Sequence, residues 1–141
     1  MQYKRFLREE IAISALPSKI WTVLTRPDYT RQYLFDLESC SDWQKGSSLV
    51  WKIERNGAKE IALQGVVLES TPGLLLQYTT QDLFQPGTES IPTTYELIPD
   101  EEGIKLKISQ ELCSINDEDF KGLAENWRMI LRKIKWLAEF T

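Results

Sequence analysis

The chain has no histidine among its 141 residues. The side chain that most often acts as general base, and that completes most nucleophilic triads, is therefore missing. Cysteine is nearly missing too. Cys40 and Cys113 stand in separate segments without CxxC spacing, which fits neither a zinc site nor a disulfide framework and implies reduced thiols in a cytoplasmic setting. No apolar run approaches the roughly 18 residues of a membrane span, and the opening MQYKRFLREEIAIS interleaves charge with apolar residues instead of forming a signal-like stretch. Basic runs do not exceed two residues, with RKIK the densest stretch, and the formal net charge is −4. That balance excludes the electrostatic footprint of a nucleic-acid binder. Gly-rich phosphate loops and nucleophile elbows are absent as well. The acidic clusters PDEEG and NDED have local roles as a turn and a helix cap, so neither a metal site nor a cofactor is expected.

What remains is an ordinary globular balance, 42% apolar and 27% charged residues, over a length that suits one domain spanning residues 1–141. Residues 3–13 read as a first strand. Pro17 suits a first helical position, and Ile20, Val23 and Leu24 follow at helical spacing until Arg26. Pro27 restricts the residue before it and restarts the chain as a second short helix near 28–34. The period then changes to two. SSLVWKIE sets Leu49, Trp51 and Ile53 on one face, Asn56-Gly57 makes a tight turn, and EIALQGVVLES returns with a bulge or bend expected at Gly65. LLLQYTT, PTTYELI and GIKLKISQEL follow, the last two pairing across PDEEG. In the last of these strands Ile104, Leu106, Ile108 and Leu112 share a face. Asn116 then caps a long helix in which Phe120, Leu123, Ala124, Trp127, Ile130, Leu131, Ile134 and Ala138 form one stripe.

One strand, two short helices, a run of antiparallel strands and a long terminal helix predict an α+β helix-grip fold. In it a curved sheet of six to seven strands wraps around the C-terminal helix. The order of elements resembles the START-like (SRPBCC) superfamily. Within it, the chain is similar to the family related to the activator of the ninety-kilodalton heat-shock protein's ATPase. The resemblance is carried by ALPSKIWTVLTRP, DWQKGSSLVWKI, GVVLESTPGLLLQYTT, TTYELIPDEEGIKLKISQE and NWRMILRKIKWL, which together cover nearly the whole chain. The family usually has a tryptophan where Tyr33 stands.

The resemblance implies a cavity between sheet and terminal helix that holds an apolar or amphipathic small molecule. Strand phase and helix face put Trp51, Leu63, Tyr78, Tyr95, Leu106, Ile108, Leu123, Trp127 and Ile130 along its wall, with Trp21, Tyr29 and Tyr33 closing one side. Gln110 shares the inward phase. It either orients a ligand or bonds to backbone or an ordered water. Glu9, in phase with Leu7 and Ile11, raises the same question. Leu83 and Phe84 in the loop QDLFQPGTES read as a lid or as a cap on a core edge. Met129, Trp136 and Phe140 lie on the side of the terminal helix away from the core stripe, as expected of an interface with a second copy or another protein. Three functions follow: non-enzymatic binding of a small molecule, a protein-interaction module resembling a cochaperone domain, and a cavity-based cyclase or hydrolase using Gln110, Glu9 and Tyr95. The missing catalytic groups favour the first.

Overall fold

The computed structural model describes residues 4–84 and 90–141. Its elements, in chain order, are β1 (Lys4–Ile13), α1 (Pro17–Thr25), α2 (Pro27–Tyr33), β2 (Glu38–Ser41), β3 (Ser48–Arg55), β4 (Ala58–Thr71), β5 (Leu75–Asp82), β6 (Ile91–Asp100), β7 (Gly103–Cys113) and α3 (Asp117–Phe140). The seven strands form one antiparallel sheet in the order β1-β7-β6-β5-β4-β3-β2. The helix-grip architecture expected from the sequence is the one observed.

Local chemistry explains most boundaries. Pro17 and Pro27 each open a helix, and Arg26, held extended at φ −84° and ψ 134°, ends α1 and precedes α2. The ring of Pro27 disfavours a helical Arg26, so a continuous helix cannot form across this point. Asn56 and Gly57, at φ 50° and 78°, turn β3 into β4. The Asn116 side chain accepts a 2.7 Å hydrogen bond from the Asp119 N–H, and Asp117, Glu118 and Asp119 fill the first turn of α3, where negative charge meets the helix dipole.

One strand was not expected. β2 reads ESCS and carries no apolar alternation. It is fixed instead by hydrogen bonds to the preceding helices: the Ser39 N–H donates to Thr30 Oγ1 at 2.9 Å, and Ser39 Oγ donates to the Thr25 backbone carbonyl at 3.3 Å. Gly65 also differs in detail. The register shifts flank it, at Trp51/Lys52 and at Val67/Glu69. At Gly65 itself the β4 backbone passes so close to β5 that a Cβ would stand 1.8 Å from the Thr79 carbonyl oxygen.

The core lies between the concave face of the sheet and α3. Strand β7 alternates half-buried and buried residues along its whole length, and Ala124, Trp127, Ile130, Leu131, Ile134, Leu137 and Ala138 of α3 are buried against it. Each fully buried aliphatic side chain contributes roughly 1.5–3 kcal/mol. The two halves of α3 are seated differently. The second half buries nearly every core-facing residue, whereas Phe120 and Leu123 in the first half are only partly buried. The first turn is fastened by Arg5, whose guanidinium sits 4.0 Å over the Phe120 ring and bonds Asp117 at 2.7 Å.

Candidate functional site

Alternation along β3, β5 and β6 brings one aromatic ring from each strand onto the inner face of the sheet, and α3 adds a fourth. The result is a ladder. Trp51 and Tyr78 have centroids 5.3 Å apart, Tyr78 and Tyr95 6.2 Å, and Tyr95 and Trp127 6.1 Å with edge-on geometry. Such tilted and edge-to-face contacts suit the ring quadrupoles and add to the area they bury.

A short polar chain crosses the same layer. Gln110 on β7 is 8% exposed. Its Nε2 donates to Thr93 Oγ1 at 3.0 Å, and its Oε1 accepts from Trp127 Nε1 at 2.9 Å. The inward phase of Gln110 was legible in the sequence, but its partners are side chains of β6 and α3 rather than backbone or water. Thr93 escaped the sequence reading, although it shares the inward phase of Tyr95 two residues on.

Tyr33 is buried and donates to the Val23 carbonyl at 2.9 Å, which satisfies its hydroxyl. Tyr95 is 1% exposed, and the polar group beside its hydroxyl is that of Tyr78. The Tyr95 hydroxyl is the only buried side-chain polar atom among the described residues without a hydrogen bond of ordinary geometry. Burial pushes its pKa well above the usual 10.0, and Tyr78 and Tyr33 beside it push in the same direction. Burial likewise raises Tyr33 and lifts Tyr78 to about 12. Tyr29 lies at the opposite extreme: its hydroxyl takes a 2.9 Å hydrogen bond from Lys19 Nζ, which lowers its pKa.

A group whose folded pKa is raised stabilises the fold fully below its unfolded pKa, and that contribution disappears as pH climbs through the folded value. The stabilisation from the Tyr78 phenol is thus complete below pH 10.0 and lost toward pH 12. In an alkaline titration, Tyr29 should ionise first and without loss of structure. Tyr33, Tyr78 and Tyr95 should ionise only as the fold gives way, so the later tyrosinate absorbance should coincide with loss of the circular dichroism signal. Ionisation of all phenols in one early step, with structure intact, would contradict this burial.

Of the remaining residues expected along the cavity wall, Leu106, Ile108 and Ile130 are buried, and Trp21, Tyr29, Leu63 and Leu123 are partly buried against the same core. All of them belong to or pack against one core cluster. At its end lies an open depression of about 630 Å³, lined among others by Ile91, Leu112, Ile115, Asn116 and Asp119. Leu112 is the next inward residue along β7 after Gln110, so the depression begins one step beyond the Gln110–Trp127 bond.

Leu83 and Phe84 do not line that depression. The Leu83 N–H continues the ladder by donating to the Ala62 carbonyl, and the Phe84 ring lies 4.2 Å beneath the Arg55 guanidinium. The rest of the loop, 85–89, is outside the described residues. Glu9 accepts a 2.9 Å hydrogen bond from Arg128 Nε and spends its charge on that ion pair. Met129, Trp136 and Phe140 are 54%, 50% and 70% exposed on the outer side of α3. Among the described residues no group of His, Cys, Asp or Glu is placed to hold a metal ion, and no helix is long and apolar enough to cross a membrane.

A seven-stranded sheet gripping one long helix over an aromatic interior defines an α+β protein of the helix-grip, START-like class. The chain belongs to the family described as Activator of Hsp90 ATPase homolog 1-like protein, which it matches over residues 14–139. Among solved structures it is similar to ChR145 from Cytophaga hutchinsonii, at 24% identity and TM-score 0.79, over 94% of this chain and 92% of that one. The protein of unknown function SA2116 from Staphylococcus aureus matches at 12% identity and TM-score 0.78, over 97% and 94%. The Aha1 dimer from Colwellia psychrerythraea matches at 16% identity and TM-score 0.75, over 96% and 97%. Among proteins with curated functions none matches the chain in sequence.

Proposed function

We propose that the layer between the sheet and α3 binds one apolar or amphipathic small molecule without chemical turnover, in a cytoplasmic setting. The observation that carries this reading is the buried Tyr95 hydroxyl, which has the Tyr78 hydroxyl beside it but makes no hydrogen bond of ordinary geometry. Leaving such a group unsatisfied costs roughly 1–3 kcal/mol, and a ligand oxygen or nitrogen placed among the aromatic rings would recover that loss. Access would come from the depression beside Leu112 and Ile115, by lifting the first half of α3, where Phe120 and Leu123 are only partly buried. Acid–base chemistry finds little to work with in the interior. Among the described residues, and apart from the tyrosines, the buried polar residues are Thr25, Thr30, Ser39, Thr93 and Gln110, none a carboxylate.

The test pairs native mass spectrometry, before and after organic extraction, with the variant Tyr95→Phe. The purified protein should carry a stoichiometric small molecule that the variant retains poorly. The ligand-free variant should be about 1–2 kcal/mol more stable than ligand-free wild type in urea, because it no longer buries an unsatisfied hydroxyl. Protein recovered empty from cells, together with a variant that is destabilised, would overturn the reading.

A second reading, a protein-interaction module of cochaperone type, has one observation in its favour: the exposed Met129, Trp136 and Phe140 on the outer face of α3. A related protein, from Colwellia psychrerythraea, is described as a dimer.

A further inference from the structure

The outer face of α3 is complementary to itself. Counting from Met129, the residues four positions away on either side are Glu125 and Lys133. Seven positions away are Gly122 and Trp136, and eleven away are Glu118 and Phe140. At about 100° per residue, all seven lie within roughly 40° of one line along the helix, and all seven are exposed. The two inner pairs are opposites: an acid faces a base about the centre, and the smallest residue faces the largest, while Glu118 and Phe140 stand at the ends of the stripe. Space over Gly122 is open, since a Cβ there would meet nothing within 4 Å. Trp136 is already braced, with Lys133 Nζ 4.8 Å over its ring and Phe140 at 6.1 Å. Among the described residues, neither Glu125 nor Lys133 is in an ion pair. They stand about 12 Å apart along the axis, too far to pair within one helix.

We propose that two copies of the chain associate about a two-fold axis through Met129, with their α3 helices antiparallel. This arrangement sets Glu125 of each copy against Lys133 of the other and lays each Trp136 over the open backbone at Gly122. Met129 meets its own counterpart on the axis. Self-complementarity of this kind is what an isologous interface requires. A parallel arrangement would set like charges together and Trp136 against Trp136.

A neighbouring residue points the same way. Phe35 follows α2 at φ 52° with its side chain 60% exposed. A bulky residue in the left-handed region is strained, and in the single chain its ring is largely left in water. It borders a depression of about 220 Å³ together with Arg31, Met129 and Lys133, beside the centre of the stripe, where the second copy's helix would cover it. One helix face per side is a modest interface, at or below the roughly 1,200–2,000 Å² of stable complexes, so the dimer is expected to dissociate in the micromolar range.

The inference rests on the outer face of α3 being an interaction surface, and charge reversal separates the two claims. Sedimentation equilibrium of the whole chain, from about 1 µM to 1 mM, should give a monomer–dimer equilibrium. Trp136→Glu should weaken it at least 30-fold. Glu125→Lys alone and Lys133→Glu alone should each weaken it about tenfold, and the double variant Glu125→Lys/Lys133→Glu should return to wild-type affinity. All four variants change exposed helix positions, and circular dichroism checks that they fold. A monomer at every concentration overturns the proposal. A dimer that Trp136→Glu breaks, but whose single charge variants the double swap does not rescue, overturns the antiparallel pairing while leaving α3 as the contact. A dimer indifferent to Trp136→Glu overturns both.

Discussion

Gly65→Ala is expected to destabilise the fold by about 3 kcal/mol or more, the upper end of what an overpacked position costs. The added methyl would stand 1.8 Å from the Thr79 carbonyl oxygen and 2.7 Å from its carbonyl carbon. Both are backbone atoms, so no side-chain rotation relieves the clash and β4 must move off β5. That movement also strains the 3.0 Å hydrogen bond from the Val66 N–H to Thr79 Oγ1. The damage would not stay local, because β4 also carries β3 and, beyond it, β2. Urea denaturation measures the effect as a lowered midpoint. An unchanged midpoint would mean that the two strands do not approach as closely as described.

Trp127→Ala comes next, with an expected loss of about 3–5 kcal/mol from the cavity and the lost burial. Two finer variants separate packing from hydrogen bonding. Trp127→Phe keeps most of the apolar bulk but removes the N–H that reaches Gln110 Oε1 at 2.9 Å. It should cost about 1–3 kcal/mol, the penalty for an acceptor left dry. Gln110→Leu with Thr93→Val in the Trp127→Phe background should recover part of that loss, since Gln110→Leu alone would leave the buried Thr93 Oγ1 without its 3.0 Å donor. A double-mutant cycle on Gln110 and Trp127 should return a coupling near 1 kcal/mol. Strict additivity would show that Gln110 and Trp127 act independently.

How much of this was legible in the chain depends on how local each determinant is. The alternation of Ile104, Leu106, Ile108 and Leu112 and the stripe through Trp127, Ile130, Leu131 and Ile134 are repeats within one element, so they announce strand and helix directly. Pro17 and Pro27 act on their own neighbours and mark two helix starts unaided. β2 was illegible for the opposite reason. Nothing in ESCS specifies a strand, and its position is set by Thr25 and Thr30 on helices that the chain has already left behind. The same division runs through the candidate site. Phase alone turned Gln110, Tyr95 and Trp51 inward. Which of them meet, however, depends on register: Thr93 stands opposite Gln110, and Tyr95 opposite Ile108 and Leu76. The depth at which α3 lies over them is equally invisible in the chain. The Tyr95 hydroxyl, poorly matched to Tyr78, is a product of that depth, and a sequence cannot show which of five tyrosines will end without a hydrogen bond of ordinary geometry.

The order of strands also bears on how the protein is made. β1 lies at one edge of the sheet and pairs only with β7, Lys4 opposite Cys113 and Ile13 opposite Ile104. On the ribosome, at roughly 5–20 residues per second, the first strand therefore waits about 5–20 s for its only partner. During that interval it is a solitary strand with both edges open, the kind of segment that recruits other chains. Its composition answers the hazard, since KRFLREE places Lys4, Arg5, Arg8, Glu9 and Glu10 around Phe6 and Leu7. The charges that looked like an unremarkable surface in the finished protein thus stand on the strand that is made before the other six and must wait for the seventh.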